Sequence, residues 1–257
     1  MFRLCIGLIA AFFLLAFSVV KKPDFRPPGT VEVSDSLFFD QTEITTFNWL
    51  EYTTWMKNNY GDNSPEYLAS LPDSSVFTGF NEPFSRLYFF HPAYHNYPVV
   101  GVSYNQAQQF CTWRTERVKE MLAIQHAKKK NYKMPELAYR LPSEAEWELV
   151  ANAPLNEKSV RKSKSSFTSE DMPYNVKDFN IQTSSEARIT SPATQGVKNS
   201  FGMQNLFGNV AEMIAEEGVS KGGSFFHTSA ESQSEKAIAY ESPTHWLGFR
   251  CVYIIKE

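Results

Sequence analysis

Y-R-L-P-S-E-A-E-W-E-L-V, residues 139–150, carries the local signal from which the rest of the chain is best read. Ser143 and Glu146 stand at capping-box spacing, where each side chain satisfies an orphan backbone donor of a helix start. The short helix that follows buries Trp147 and Val150, and Pro154 stops it. Arg140 and Glu146 read as an internal ion pair rather than as catalytic groups. Such pairs fix loop geometry and add little net stability.

Working upstream, Ser103 and Gln106 form a second capping box. Behind it Ala107, Phe110, Cys111, Val118, Met121 and Leu122 mark one apolar helical face. The lysines at 128, 129 and 130 suit that helix's C-terminus. Thr45 is an N-cap for a helix carrying Trp49, Tyr52 and Met56. Trp147 and Trp113 are expected as core anchors. Thr30 to Asp40 alternates as strand, and shorter strand-like pieces return at Gly222 to Phe226 and Gly248 to Ile255. Residues 58–98 read as ordered loops over a core, because their many aromatics need burial. Lys158 to Asp171 is polar and Ser-rich and reads as a solvated, mobile loop. The order of elements gives an α+β class, not alternating β-α units.

The chain has 257 residues, 42% hydrophobic and 15% aromatic, enough for a sizeable core. A formal charge of -3 gives no electrostatic case for nucleic acid. Arg3 precedes an apolar run from Leu4 to Val20, followed by Lys21 and Lys22. The run is short of the roughly 20 residues that span a bilayer comfortably. It fits a signal peptide, with Ala16 and Ser18 before a cut at Val19; an uncleaved membrane anchor is the alternative. The expected division is 1–20 signal or anchor, 21–29 linker and 30–257 one domain. The chain is thus expected to be exported, to the periplasm or cell envelope. Cys5 precedes the apolar run, unlike a lipid-attachment cysteine. Export leaves Cys111 and Cys251, which are a natural pair in an oxidising compartment or else two buried free thiols. A bond between them would close a loop of about 140 residues, worth roughly 5 kcal/mol in the chain-entropy model.

Five ordered segments go beyond generic chemistry: residues 98–113 (P-V-V-G-V-S-Y-N-Q-A-Q-Q-F-C-T-W), 139–150, 201–213 (F-G-M-Q-N-L-F-G-N-V-A-E-M), 221–226 (K-G-G-S-F-F) and 247–252 (L-G-F-R-C-V). Together they resemble the formylglycine-generating enzyme family, the sulfatase-modifying factors. The resemblance implies a C-type-lectin-like α+β single domain with little regular structure. It also implies a disulfide between Cys111 and Cys251. Residues 89–103 and 111–115 look like the gliding-motility and type IX secretion lipoproteins that carry this domain. This chain differs from those in length and in lacking a lipobox, so a secretion role is an analogy.

The resemblance further implies calcium at N-L-F-G-N-V-A-E, through Asn205, Gly208, Val210 and Glu212. Calcium takes six to eight oxygens at about 2.3 to 2.6 Å, and an amide oxygen, turn carbonyls and a carboxylate supply part of that shell. The alternative is a tight turn with Asn205 capping its own backbone. For the family's second calcium site, Asn175 and Val176 supply a first half, but the later Asp-Gly is absent between Phe179 and Pro192. That site is expected to be lost or altered.

The family's active members hold copper with two thiolates placed shortly after G-G-S, because soft thiolates bind Cu(I). Here His227 and Ser232 stand at those positions, so no catalytic residue and no copper are expected. A histidine set for iron does not follow from His91, His95, His126, His227 and His245, since Pro92 breaks the one helical spacing. The expectation is therefore a non-catalytic envelope module, fixed by calcium and a disulfide, that binds a protein or glycan partner through its loops. The alternative is a metal-dependent oxidoreductase with altered ligands that uses His227.

Overall fold

The computed structural model describes residues 26–80, 84–164, 174–178 and 189–256. The expected signal or anchor, Cys5 and most of the stretch 165–188 lie outside the described residues. In chain order the elements are β1 (Thr30–Ser34), β2 (Leu37–Asp40), α1 (Thr46–Tyr60), α2 (Pro65–Ser70), α3 (Phe84–Leu87), α4 (Tyr104–His126), β3 (Glu136–Arg140), α5 (Glu144–Ala151), α6 (Glu157–Lys164), β4 (Ala211–Met213), β5 (Val219–Lys221), β6 (Ile238–Ala239), β7 (Leu247–Gly248) and β8 (Val252–Lys256). Short 3-10 turns at Ser74–Phe77 and Pro92–Tyr94 complete them.

The first sheet is antiparallel in the order β1-β2-β8-β3, so the chain's last strand lies between segments from its beginning and middle. Strand residues alternate faces, and here both faces are covered. Phe38 and Tyr253 join the cluster of Trp49, Tyr52, Phe110 and Phe249 on one side. Their neighbours Phe39 and Val252 join Trp147, Met203 and Ile214 on the other. The second sheet, β6-β5-β4-β7, has a parallel β4–β7 pair and otherwise antiparallel pairs. This is the α+β, C-type-lectin-like arrangement that the sequence led us to expect.

All three expected helix starts form. The Thr45, Ser103 and Ser143 hydroxyls each accept from the backbone N–H three residues on, and Asn48, Gln106 and Glu146 close reciprocal boxes. Helix α4 ends at His126, just short of the lysines, and buries Ala107, Phe110, Cys111, Val118 and Leu122. The stretch expected as loops from Asn58 to Pro98 instead holds the end of α1 and helices α2 and α3; Phe77, Tyr88 and Phe89 pack with Val100 and Val210. The Tyr88 hydroxyl donates to the Pro98 carbonyl at 2.7 Å.

Several expectations are corrected. Residues 157–164 are helical rather than a loop: Asn156 Oδ1 accepts from Ser159 N, and Glu157 pairs with Arg161 one turn on. Residues 222–226 are not strand; β5 ends at Lys221, and Gly222 and Gly223 take positive φ values that end the pairing. Strand β3 was not anticipated, because its order comes from pairing with β8 far along the chain. Trp147 is fully buried, whereas Trp113 is only partly so.

Candidate functional site

The segment carrying the expected calcium residues is a left-handed turn packed on a buried ionic hub. Asn205 (φ 56°), Gly208 (φ 76°) and Asn209 (φ 62°) all have positive φ. Such values favour Gly and are otherwise tolerated best by Asn. At Gly208 a Cβ would lie 2.5 Å from the Asn175 carbonyl oxygen, so a side chain has no room.

Behind the turn, Arg250 is fully buried and grips Glu212 at 2.5 and 2.7 Å. Its remaining donors reach the carbonyls of Asp40 and Gln204. Trp147 Nε1 donates to Glu212 Oε2 at 2.8 Å. Glu43 is a second buried carboxylate, receiving Asn209 Nδ2 at 2.8 Å and Asn205 Nδ2 at 3.2 Å. Burial pushes the Glu43 carboxyl up to about 8, against the pull of Arg250 and with the help of Glu212. Complete burial outweighs Arg250, whose guanidinium is hydrogen-bonded to Glu212 rather than to Glu43.

The hub thus brings together two buried carboxylates, Glu43 and Glu212, of the hard-oxygen type that a calcium ion takes. The set differs from the expected one in two respects. Both Glu212 oxygens already accept hydrogen bonds, so a calcium ion would share that carboxylate with Arg250. Glu43, which sequence reading missed, brings the extra negative charge. Asn175, expected at the second calcium site, donates instead to Ile189 O and to Asn209 Oδ1. Its expected partner segment falls largely outside the described residues.

Cys111 on α4 and Cys251 ahead of β8 are both buried, and their sulfur atoms lie 3.3 Å apart as thiols. Burial, followed by contact with Cys111, pushes the Cys251 thiol well above its ordinary value. The Cys251 amide donates to Asp40 Oδ2, which also pairs with Arg114 at 2.7 Å. Arg140 and Glu146 form the expected pair, bidentate at 2.6 and 2.7 Å.

Beyond Gly222-Gly223-Ser224 lies the segment 225–232, where the resemblance puts the family's thiol cleft. His227 is half-buried, with Nδ1 2.8 Å from Ser224 Oγ and its ring edge-on to Trp246 at 4.7 Å. Burial lowers its imidazole below the ordinary value; Glu231 acts against the shift and Lys177 adds to it. Ser232 is buried, and its hydroxyl donates to Thr228 O at 2.8 Å. It underlies Gly223, whose missing side chain would meet Ser232 Oγ at 1.9 Å. His91 caps its own 3-10 turn, and His95 packs on Phe47. Among the described residues no three His, Cys, Asp or Glu side chains cluster as a metal site.

A family model described as the sulfatase-modifying factor enzyme 1-like domain matches residues 12–255. The chain belongs to this family. The match begins inside the N-terminal apolar run. Solved structures similar to this chain include one titled "Crystal Structure of CarF", at 19% identity and TM-score 0.49, covering 86% of this chain and 87% of that one. PvdO from Pseudomonas aeruginosa is 18% identical with TM-score 0.49, covering 85% and 80%. Treponema denticola variable protein 1 is 18% identical with TM-score 0.43, covering 86% and 84%. No curated protein matches.

For a sulfatase-modifying-factor-like chain, the cleft holds nitrogen and oxygen where two sulfurs were sought. His227 and Ser232 each hydrogen-bond to a different neighbour, Ser224 and Thr228, rather than forming one ligand pair. Glu43 was the residue missed in the hub. The local signal that marks it is a lone acid between a strand and the Thr45 cap, which reads equally well as an exposed loop residue.

Proposed function

We propose that this chain is an exported, non-catalytic member of the sulfatase-modifying factor family that serves the cell envelope as a binding scaffold. The observation carrying the proposal is where sulfur is. The thiols of Cys111 and Cys251 face each other inside the core, while the cleft positions hold His227 and Ser232. Thiolate copper chemistry needs sulfur at the cleft, and these two side chains supply none.

In this reading the sulfur pair closes into a disulfide in the oxidising envelope, and the turn at Asn205–Glu212 holds calcium. Glu43, Glu212, the Asn205 amide oxygen and the carbonyls of Gly208 and Val210 are the oxygen donors that suit it. Bound calcium would supply positive charge that lets Glu43 ionise in its buried site. The partner is an envelope protein or glycan; kinship with secretion or gliding components rests on segment resemblance alone.

Metal analysis of the purified exported chain tests the proposal. Copper and iron are expected at well below one per chain, with no oxidation of a cysteine in a sulfatase-derived peptide. Stoichiometric iron or copper that disappears in His227→Ala would replace the proposal with an oxidoreductase of altered ligands. Melting with calcium and with chelator tests the calcium part separately. Equal melting temperatures would remove it.

A further inference from the structure

Helices α1, α2 and α4 leave between them an open groove of about 810 Å³ that shares no residue with the hub or the His227 cleft. Its two main walls differ in chemistry. The α1 wall is aromatic: half-buried Trp55 and half-exposed Tyr60 stand beside the buried Tyr52, with half-buried Trp113 of α4 packed against Tyr52 and Trp55. The α4 wall is a polar stripe of Asn105, Gln108, Gln109 and Thr112, all exposed. Residues three and four apart share a helix face, so these side chains line up along the groove.

We infer that this groove binds a glycan chain. A sugar ring offers an apolar C–H face and an edge of hydroxyls that both donate and accept. An aromatic wall opposite an amide wall meets both requirements. Ligand sites commonly combine aromatic lining with a few placed polar groups of this kind. The Asn105 and Gln109 side chains have no hydrogen-bond partner among the described residues, and each amide can donate and accept. Trp113 Nε1 and Arg117 Nε are buried donors likewise lacking a partner.

Charge argues against an anionic polymer. The Arg117 guanidinium lies over the Trp55 ring at 4.4 Å and is held by Glu120 at 2.7 and 2.8 Å. Glu116 is paired with Lys119. No groove cation is left over for phosphate or sulfate. A helical peptide is disfavoured too, because such partners lay an apolar face into an apolar groove, and one wall here is polar. Here Met56, Pro65 and Ala69 are the non-aromatic apolar lining.

The inference rests on the binding-module proposal only for its biological setting. Detected turnover would end that proposal and leave the groove's ligand unaffected. The test uses the exported chain with hexasaccharides of β-1,4-linked N-acetylglucosamine, β-1,4-linked glucose, β-1,3-linked glucose and α-linked mannose. Calorimetry and saturation-transfer NMR read the binding. At least one is expected to bind saturably and to quench tryptophan fluorescence. The exposed double substitution Asn105→Ala/Gln109→Ala should weaken it about tenfold with unchanged circular dichroism. Tyr60→Ala, at a half-exposed ring, should weaken it as well, while His227→Ala should not. Binding that ignores the groove substitutions overturns the inference. So does failure of every hexasaccharide to bind, whether or not an amphipathic helical peptide then occupies the groove.

Discussion

The Arg250 hub and the His227 cleft are built from adjoining stretches of chain and use polar groups in opposite ways. In the hub every strong group is committed: Arg250 to Glu212 and backbone carbonyls, Glu212 also to Trp147, Glu43 to two asparagines. In the cleft the half-buried His227 ring makes one hydrogen bond, and Phe226 beside it is 52% exposed. A buried ion must be fully paired, since an orphaned one costs several kcal/mol. A partly solvated imidazole carries no such obligation. The hub can therefore change little without unfolding, while the cleft can exchange a thiol for His227 and keep the fold.

The largest effect should come from cutting the hub. Arg250→Met leaves Glu212 buried without its cation, and we expect a loss of about 4 kcal/mol in denaturant unfolding. A loss under about 1 kcal/mol would show that the hub is not the anchor described. The sulfur pair should rank next. The exported chain is expected to lack titratable thiol when unfolded without reductant, and reduction should cost about 3 kcal/mol, below the chain-entropy figure because a reduced unfolded chain keeps residual structure. Two titratable thiols per mature chain would return Cys111 and Cys251 to the status of buried free thiols.

A smaller effect is expected from pH. The folded Glu43 carboxyl is held above its unfolded value of 4.5, at about 8. The folded state thus keeps a proton that the unfolded chain has released. Its stability contribution is full below about 4.5 and declines as pH rises through about 8, by at most ~1.4 kcal/mol per pH unit. Glu43→Gln should flatten that decline, and added calcium should do so in the parent protein by favouring the ionised Glu43 carboxylate. A slope unchanged by either would place the titration elsewhere. The smallest effect should be His227→Ala, under about 1 kcal/mol, since one hydrogen bond of a half-buried ring is lost. A large loss would make the cleft part of the frame and erase the contrast.

The helix starts were legible because a cap is a local device: Ser143 and Glu146 find each other within one turn, whatever surrounds them. The buried faces of α4 and α5 followed from periodicity, and the likeness of five ordered segments supplied the fold. Helix α6 was missed because composition alone suggested solvation, while Asn156 and the Glu157–Arg161 pair suffice to start and hold a helix. The site was legible as a set of positions, Asn205, Gly208, Val210 and Glu212, but not as a charge balance. Glu43 enters from the far side of the chain, through Asn205 and Asn209.

By itself the sequence determined which segments cap, coil and bury, and that no cysteine stands near His227. Those properties depend on residues a few positions apart or on residue identity alone. Only the tertiary structure decided that Glu212 is spent on Arg250, that β3 pairs with β8, and that an aromatic face of α1 confronts an amide stripe of α4. Each of these joins distant segments, and such contacts form only when burial of the shared core makes up for the chain entropy of bringing them together.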